Sequence, residues 1–177
     1  IANIIDGIGG EFNAYTGKET TGYYIKSQAS NIEISIEILS DMLQNSLLEQ
    51  TEIDKEKGVI LEEINLYEDS PSRKVGDIYE ELLYGDTPLG WDIAGNKKVI
   101  KAMQREQFVS YMQSLYSSHN ITVVIAGGVD PEKATKLVQK YFGKMKRFDT
   151  ITRTSVVESQ SDFAIKVKQK KTEQVHI

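Results

Sequence analysis

Residues 51–67 read TEIDKEKGVILEEINLY, and the winding of this stretch governs what the rest of the chain can be. Thr51 is a helix-capping residue type with Asp54 in the first turn, and the apolar positions recur at helical spacing, so a helix is expected through Leu66 or Tyr67. At about 100° per residue, Ile53, Val59, Ile60, Ile64, Leu66 and Tyr67 gather on one broad side, with Lys55, Gly58, Glu62 and Asn65 opposite. Glu56 and Glu63 break that division. Seven positions apart, they lie nearly eclipsed and roughly 10 Å apart along the axis, and both fall inside the apolar arc. A carboxylate turned inward is costly unless it is paired, hydrogen-bonded or bound to a cation. Two readings are open. Either these long side chains reach water or a basic partner elsewhere, or at least one of them serves a metal or a catalytic group.

Working outward, the segment before this helix begins with Ile1, Ile4, Ile5 and Ile8 on one helical face, stopped by Gly9-Gly10. Glu11 to Thr16 and Thr21 to Ser27 are aromatic- and Thr-rich and flank Gly17-Lys18-Glu19, which predicts a hairpin. Residues 31–47 alternate like a strand over a short window. Over the longer window Ile32, Ile36, Leu39, Leu43 and Leu47 keep helical spacing, and Ser30 with Glu33 suggests a capping box.

On the C-terminal side, helices are expected over Ser72–Tyr84 and Gln104–Tyr116, separated by a surface loop, Gly85 to Gly95, with Trp91 as its anchor. Ile121 to Val129 reads as a strand buried on both faces. Asp130-Pro131 starts a helix whose stripe is Ala134, Leu137, Val138, Tyr141 and Phe142. Residues 147–160 read as a largely polar linker, and Phe163 to Val167 as a half-buried or edge strand. Helices with a mainly antiparallel sheet make this an α+β chain of two layers.

Composition narrows the function. With 26 acidic and 21 basic residues the net charge is -5, which disfavours nucleic acid or an anionic membrane as partner. In the densest basic run, Lys166, Lys168, Lys170 and Lys171, the first two alternate with Ile165 and Val167 as the wet face of a strand would. Cysteine is absent, so a disulfide scaffold, a thiolate zinc site and a Cys nucleophile are excluded, and any metal must use Glu, Asp or His. No apolar run approaches the roughly 20 residues of a membrane-spanning helix.

At the helix that opened this reading, Glu56-Lys57-Gly58-Val59-Ile60-Leu61-Glu62-Glu63-Ile64 resembles the segment that supplies the third zinc ligand in pitrilysin/insulinase-family metallopeptidases. Gly9-Gly10-Glu11-Phe12-Asn13-Ala14-Tyr15-Thr16 is similar to that family's strand after the zinc-binding helix. Glu81-Leu82-Leu83-Tyr84-Gly85 with Pro88-Leu89-Gly90 resembles the next landmark, and Asn120 to Gly128 before Asp130 the strand and helix that follow. The likeness runs in order over residues 1–146, far more specific than one motif. It implies a metallopeptidase domain of the processing-peptidase type over 1–146, with 147–177 as a linker and final strand leading toward a second, related domain.

The resemblance also implies roles. The family's site joins an inverted His-x-x-Glu-His helix, giving two His ligands and a Glu general base, to a downstream Glu ligand. By motif match that ligand is Glu63. Glu56 matches a second acidic position, implied to orient the shell, and Asn13, Ala14 and Tyr15 match the edge strand along which a peptide or unfolded protein lies extended. Ordinary cross-strand packing is the competing account of Tyr15, Tyr23 and Tyr24. This chain has no His-x-x-Glu-His; its histidines are His119, in a polar loop, and His176, beside the last residue. The family's spacing puts the missing helix roughly a dozen residues before Ile1. Zinc is therefore expected in the parent protein and not in this chain alone, which is expected to be inactive by itself. The alternatives are a noncatalytic family member that binds peptides or scaffolds a partner, and an unrelated α+β domain.

Overall fold

A computed structural model describes residues 1–156, 160–170, 173 and 175–177. The chain divides into two compact units, residues 1–48 with 106–151, and residues 49–105 with 152–177.

The first unit opens with helix α1 (Ala2–Gly7), which carries the fully buried Ile5. It ends as the double glycine predicts. Gly9 takes φ +65° and donates to the Asp6 carbonyl, and Gly10 donates to that of Ile5, closing the last turn. A Cβ on Gly10 would lie 2.9 Å from the Ile5 side chain, so the close approach also requires glycine. Strands β1 (Glu11–Thr16) and β2 (Thr21–Lys26) pair antiparallel, with Glu11 opposite Lys26 and Thr16 opposite Thr21.

A short 3₁₀ turn (Ala29–Asn31) then feeds helix α2 (Ile32–Gln44). The expected capping box is not made, because Ser30 lies within the turn and Asn31 takes the cap position without a side-chain bond. Helix α6 (Arg105–Leu115) falls one residue inside each expected limit. Helix α7 (Pro131–Phe142) starts as read, with Asp130 Oδ1 accepting the Lys133 N–H at 2.8 Å. The core lies between α2 and α7: Ile32, Ile36 and Leu137 are buried, flanked by Val129, Val138, Tyr141 and Phe142. Ser40 ties the two helices by donating to the Tyr141 carbonyl at 2.8 Å.

The second unit holds helices α3 (Gln50–Glu68), α4 (Pro71–Tyr84) and α5 (Lys97–Ala102). Thr51 lies inside α3, whose cap position is Glu49 with no side-chain bond. The sequence reading left α5 undetected. It has only 6 residues, too few to establish a periodicity, and Asn96 caps it by accepting the Lys98 N–H. Lys97 reaches back to Asn65 and Glu68 on α3. Between α4 and α5, Trp91 donates its indole N–H to Asp86 at 2.7 Å within the loop, leaving the ring 55% exposed.

Two expected strands are not formed. Ile121–Val129 joins no ladder, and Val124 is 81% exposed. A strand apolar on both faces needs neighbours on both edges, and among the described residues the only ladder is β1–β2. Phe163–Val167 likewise stays irregular and exposed. The lysines expected on its wet face instead form ion pairs, Lys166 with Glu81 and Lys170 with Asp69, while Lys171 lies outside the described residues. Part of the expected linker, 157–159, lies outside them too. The architecture remains α+β, helices with an antiparallel sheet of one hairpin, and no described helix is long and apolar enough to cross a membrane.

Candidate metal-ligand helix and substrate edge

Glu56 and Glu63 are placed together on α3 as the spacing requires, but neither faces inward; both are exposed. The reason is which flank of the apolar arc is covered. Packing buries the side with Ile53, Ile64 and the Lys57 side chain, at 8%, 6% and 12% exposure. The other flank stays open, with Val59 59% and Leu66 70% exposed and Glu63 next to them on the wheel, about 40° from Val59. Lys55, Gly58, Val59, Glu62, Glu63 and Leu66 together line a shallow, open concavity along this flank.

Glu63 is not loose there. Its Oε1 accepts the Tyr67 hydroxyl at 2.6 Å, one helical turn on. That bond, with the carboxylate charge behind it, pushes the Tyr67 hydroxyl above its ordinary pKa and keeps it a donor. The Arg73 guanidinium lies 5.0 Å from the centre of the Tyr67 ring. Sequence reading had assigned Tyr67 only to the apolar arc, and the signal for its role was the four-residue spacing from Glu63. Glu62 lines the same concavity and accepts a hydrogen bond from the Asn65 amide at 3.4 Å. Glu56 forms no hydrogen bond or ion pair among the described residues.

Does this set suit a zinc ion? Such an ion takes three protein ligands plus water in a catalytic site. Among the described residues no three His, Asp or Glu side chains are grouped to hold a metal, and His119 stands in its loop 3.8 Å from Asp149. Glu63 offers one carboxylate of the kind zinc accepts, and the described residues group no further ligands around it.

The first unit places Asn13, Ala14 and Tyr15 in the middle of β1, which is exposed along its whole length. Tyr15 lies over Gly22, its cross-strand partner, where a Cβ would come within 2.3 Å of the ring. Tyr23 shares a hydrogen bond with the Tyr116 hydroxyl at 2.8 Å, and Tyr24 donates to Glu11 at 3.2 Å. Each tyrosine thus has a structural partner, and Tyr15 still keeps 61% of its surface open.

Residues 1–97 match the family model "Insulinase (Peptidase family M16)", and residues 102–177 match "Peptidase M16 inactive domain". A zinc protease of Rickettsia felis is 37% identical over 147 residues, 83% of this chain and 36% of its own length. The Bacillus subtilis zinc protease YmxG is 32% identical over 177 residues, all of this chain and 42% of its own. The chain thus spans well under half the length of these relatives. A solved protease of Helicobacter pylori superposes with TM-score 0.80 at 23% identity, over 89% of this chain and 38% of that one, and so shares the fold. With the α3 motif, the hairpin and both family models in register along one sequence, the chain belongs to the insulinase family of zinc peptidases, peptidase family M16.

Proposed function

We propose that the chain is part of a zinc metalloendopeptidase acting on peptides or unfolded proteins. It contributes Glu63 as one metal ligand, Glu56 as an acidic group that orients the shell, and the β1 edge at Asn13, Ala14 and Tyr15 as the place where substrate lies. The observation that carries this reading is the uncovered flank of α3. Exposed Val59 and Leu66 beside Glu63 favour a covering surface, and a covered carboxylate calls for a cation. Tyr67 holds Oε1, which leaves Oε2 to face a metal. Zinc, when bound, would lower the pKa of its water so that hydroxide forms near neutral pH. The chain's own part is to hold and orient, and to align an extended peptide by main-chain hydrogen bonds along β1. The two His ligands and the general base belong to a helix outside residues 1–177, and a second related domain or subunit encloses the substrate. The net charge of -5 argues against a polyanionic partner.

A second reading is a noncatalytic, peptide-binding or scaffolding member. It draws on the "inactive domain" description of the model matched by 102–177. One set of measurements separates the two. In the full-length protein, zinc analysis by mass spectrometry and cleavage of a quenched peptide should find stoichiometric metal and activity. Glu63→Gln should lower zinc affinity by at least about 100-fold, Glu56→Gln should keep the metal and lose rate, and Glu62→Gln should keep both. A full-length protein with neither zinc nor cleavage sinks the peptidase reading in favour of the second. Calorimetric titration of residues 1–177 alone should reveal no tight zinc site; a tight one-to-one site there would contradict the assignment of a single ligand.

A further inference from the structure

Strand β1 has one edge on β2 and another that faces no strand among the described residues. The Gly17 N–H to Thr20 carbonyl bond, 2.7 Å, sets the phase of the ladder. By alternation, the pairs Tyr15–Gly22 and Asn13–Tyr24 exchange main-chain bonds, whereas Thr16–Thr21, Ala14–Tyr23 and Phe12–Ile25 do not. The main-chain groups of Phe12, Ala14 and Thr16 therefore point to the open edge. There the Ala14 N–H donates to Oδ1 of Asn13, at 2.8 Å. A carboxamide is chemically a peptide group, so its oxygen stands in for the carbonyl that an added strand would bring.

We propose that the Asn13 side chain is a latch on this edge. It satisfies the Ala14 amide while the edge is empty, and gives it up to a main-chain carbonyl of an extended peptide. The proposal rests on the reading of β1 as the substrate edge and deepens it by naming what sets the threshold for strand addition. An exposed strand is a template for unwanted pairing, and β1 carries few of the usual deterrents: one charge, Glu11, at its first position, no proline, no lysine and an unbroken register. The latch supplies another. An incoming strand must forfeit one hydrogen bond's net worth, a factor of about five in affinity. A segment that makes several main-chain bonds in register overcomes that factor, and a casual polar contact does not. Unfolded segments are thereby admitted and isolated polar groups turned away.

The test is amide exchange by NMR on the ¹⁵N-labelled protein, for wild type, Asn13→Ala and Asn13→Asp. Each is also titrated with an N-acetylated, Val- and Thr-rich decapeptide. In Asn13→Ala the Ala14 amide should exchange about five-fold faster while that of Tyr15, bonded to Gly22, keeps its rate. Asn13→Asp should keep the Ala14 amide slow, since a carboxylate accepts from the same place. The decapeptide should protect the Ala14 amide in all three and bind Asn13→Ala about five-fold more tightly than wild type. Unchanged Ala14 exchange in Asn13→Ala, or no gain in affinity while the peptide still protects Ala14, overturns the latch and leaves the substrate edge standing. A peptide that protects Ala14 in none of the proteins overturns the edge reading and the latch together.

Discussion

Ser117 shows how much one small side chain can hold. It is fully buried where the turn after α6 meets the segment after α7, and it satisfies both main-chain groups of Phe148. Its hydroxyl donates to the Phe148 carbonyl at 2.7 Å and accepts the Phe148 N–H at 3.0 Å. The His119 N–H reaches the same oxygen at 3.3 Å. Ser117→Ala would leave these groups without their partner, at a cost of about 1–3 kcal/mol. Urea unfolding should register that loss as a lower midpoint, and an unchanged midpoint would mean that solvent replaces the hydroxyl. Nothing in the sequence singled Ser117 out, since a serine in a polar loop carries no periodic signal. Glu63 is the opposite case. Motif and spacing made it visible, but its environment was misread, because a helical wheel reports which residues share a face and not which flank of that face is covered.

At the scale of elements, the helices were legible and the strands only in part. Helices α2, α3, α4 and α7 lie within a few residues of their expected limits because each holds its apolar period for three turns or more, as Leu137, Val138 and Tyr141 do on α7. The β1–β2 hairpin is local and was equally readable. Ile121–Val129 was not, because a strand depends on neighbours that its own residues do not specify. The α2–α7 pair adds a titratable contact. Lys140 donates to Glu33 Oε1 at 2.7 Å, and the Tyr141 hydroxyl meets Glu33 and Glu37 at 3.1 and 3.2 Å. The bond from Lys140, then that from Tyr141, holds the Glu33 carboxyl below its ordinary value of 4.5. A depressed carboxylate stabilises the fold above its unfolded pKa, and the contribution is lost as pH falls through the lowered folded value. The melting temperature of Lys140→Met should therefore lie below wild type near pH 7 and converge on it under about pH 4. In 1 M salt the gap should narrow, because the pair is exposed. A gap independent of pH would assign the effect to the Lys140 contact with the Tyr141 ring, 4.6 Å to its centre.

For the whole molecule the exposed apolar side chains are the informative feature. The buried apolar core among the described residues is thin, seven side chains: Ile5, Ile32, Ile36, Ile38, Ile53, Ile64 and Leu137. Large apolar side chains stand open in the segments whose expected strands are absent, with Val124, Phe163 and Val167 at 81%, 88% and 76% exposure. The open flank of α3, with Val59 and Leu66, is likewise an apolar face that the described residues leave without a neighbour. Unfolding should report this directly. The denaturant m value scales with the surface that unfolding exposes, and for residues 1–177 it should lie below the value for a compact domain of equal length. An apolar dye should bind the native chain, and its fluorescence should fall when the same residues are part of the full-length protein. A full-sized m value with no dye binding would mean that the 121–129 and 163–167 segments are packed in solution, and the argument for an open α3 flank awaiting its cover would fall with it.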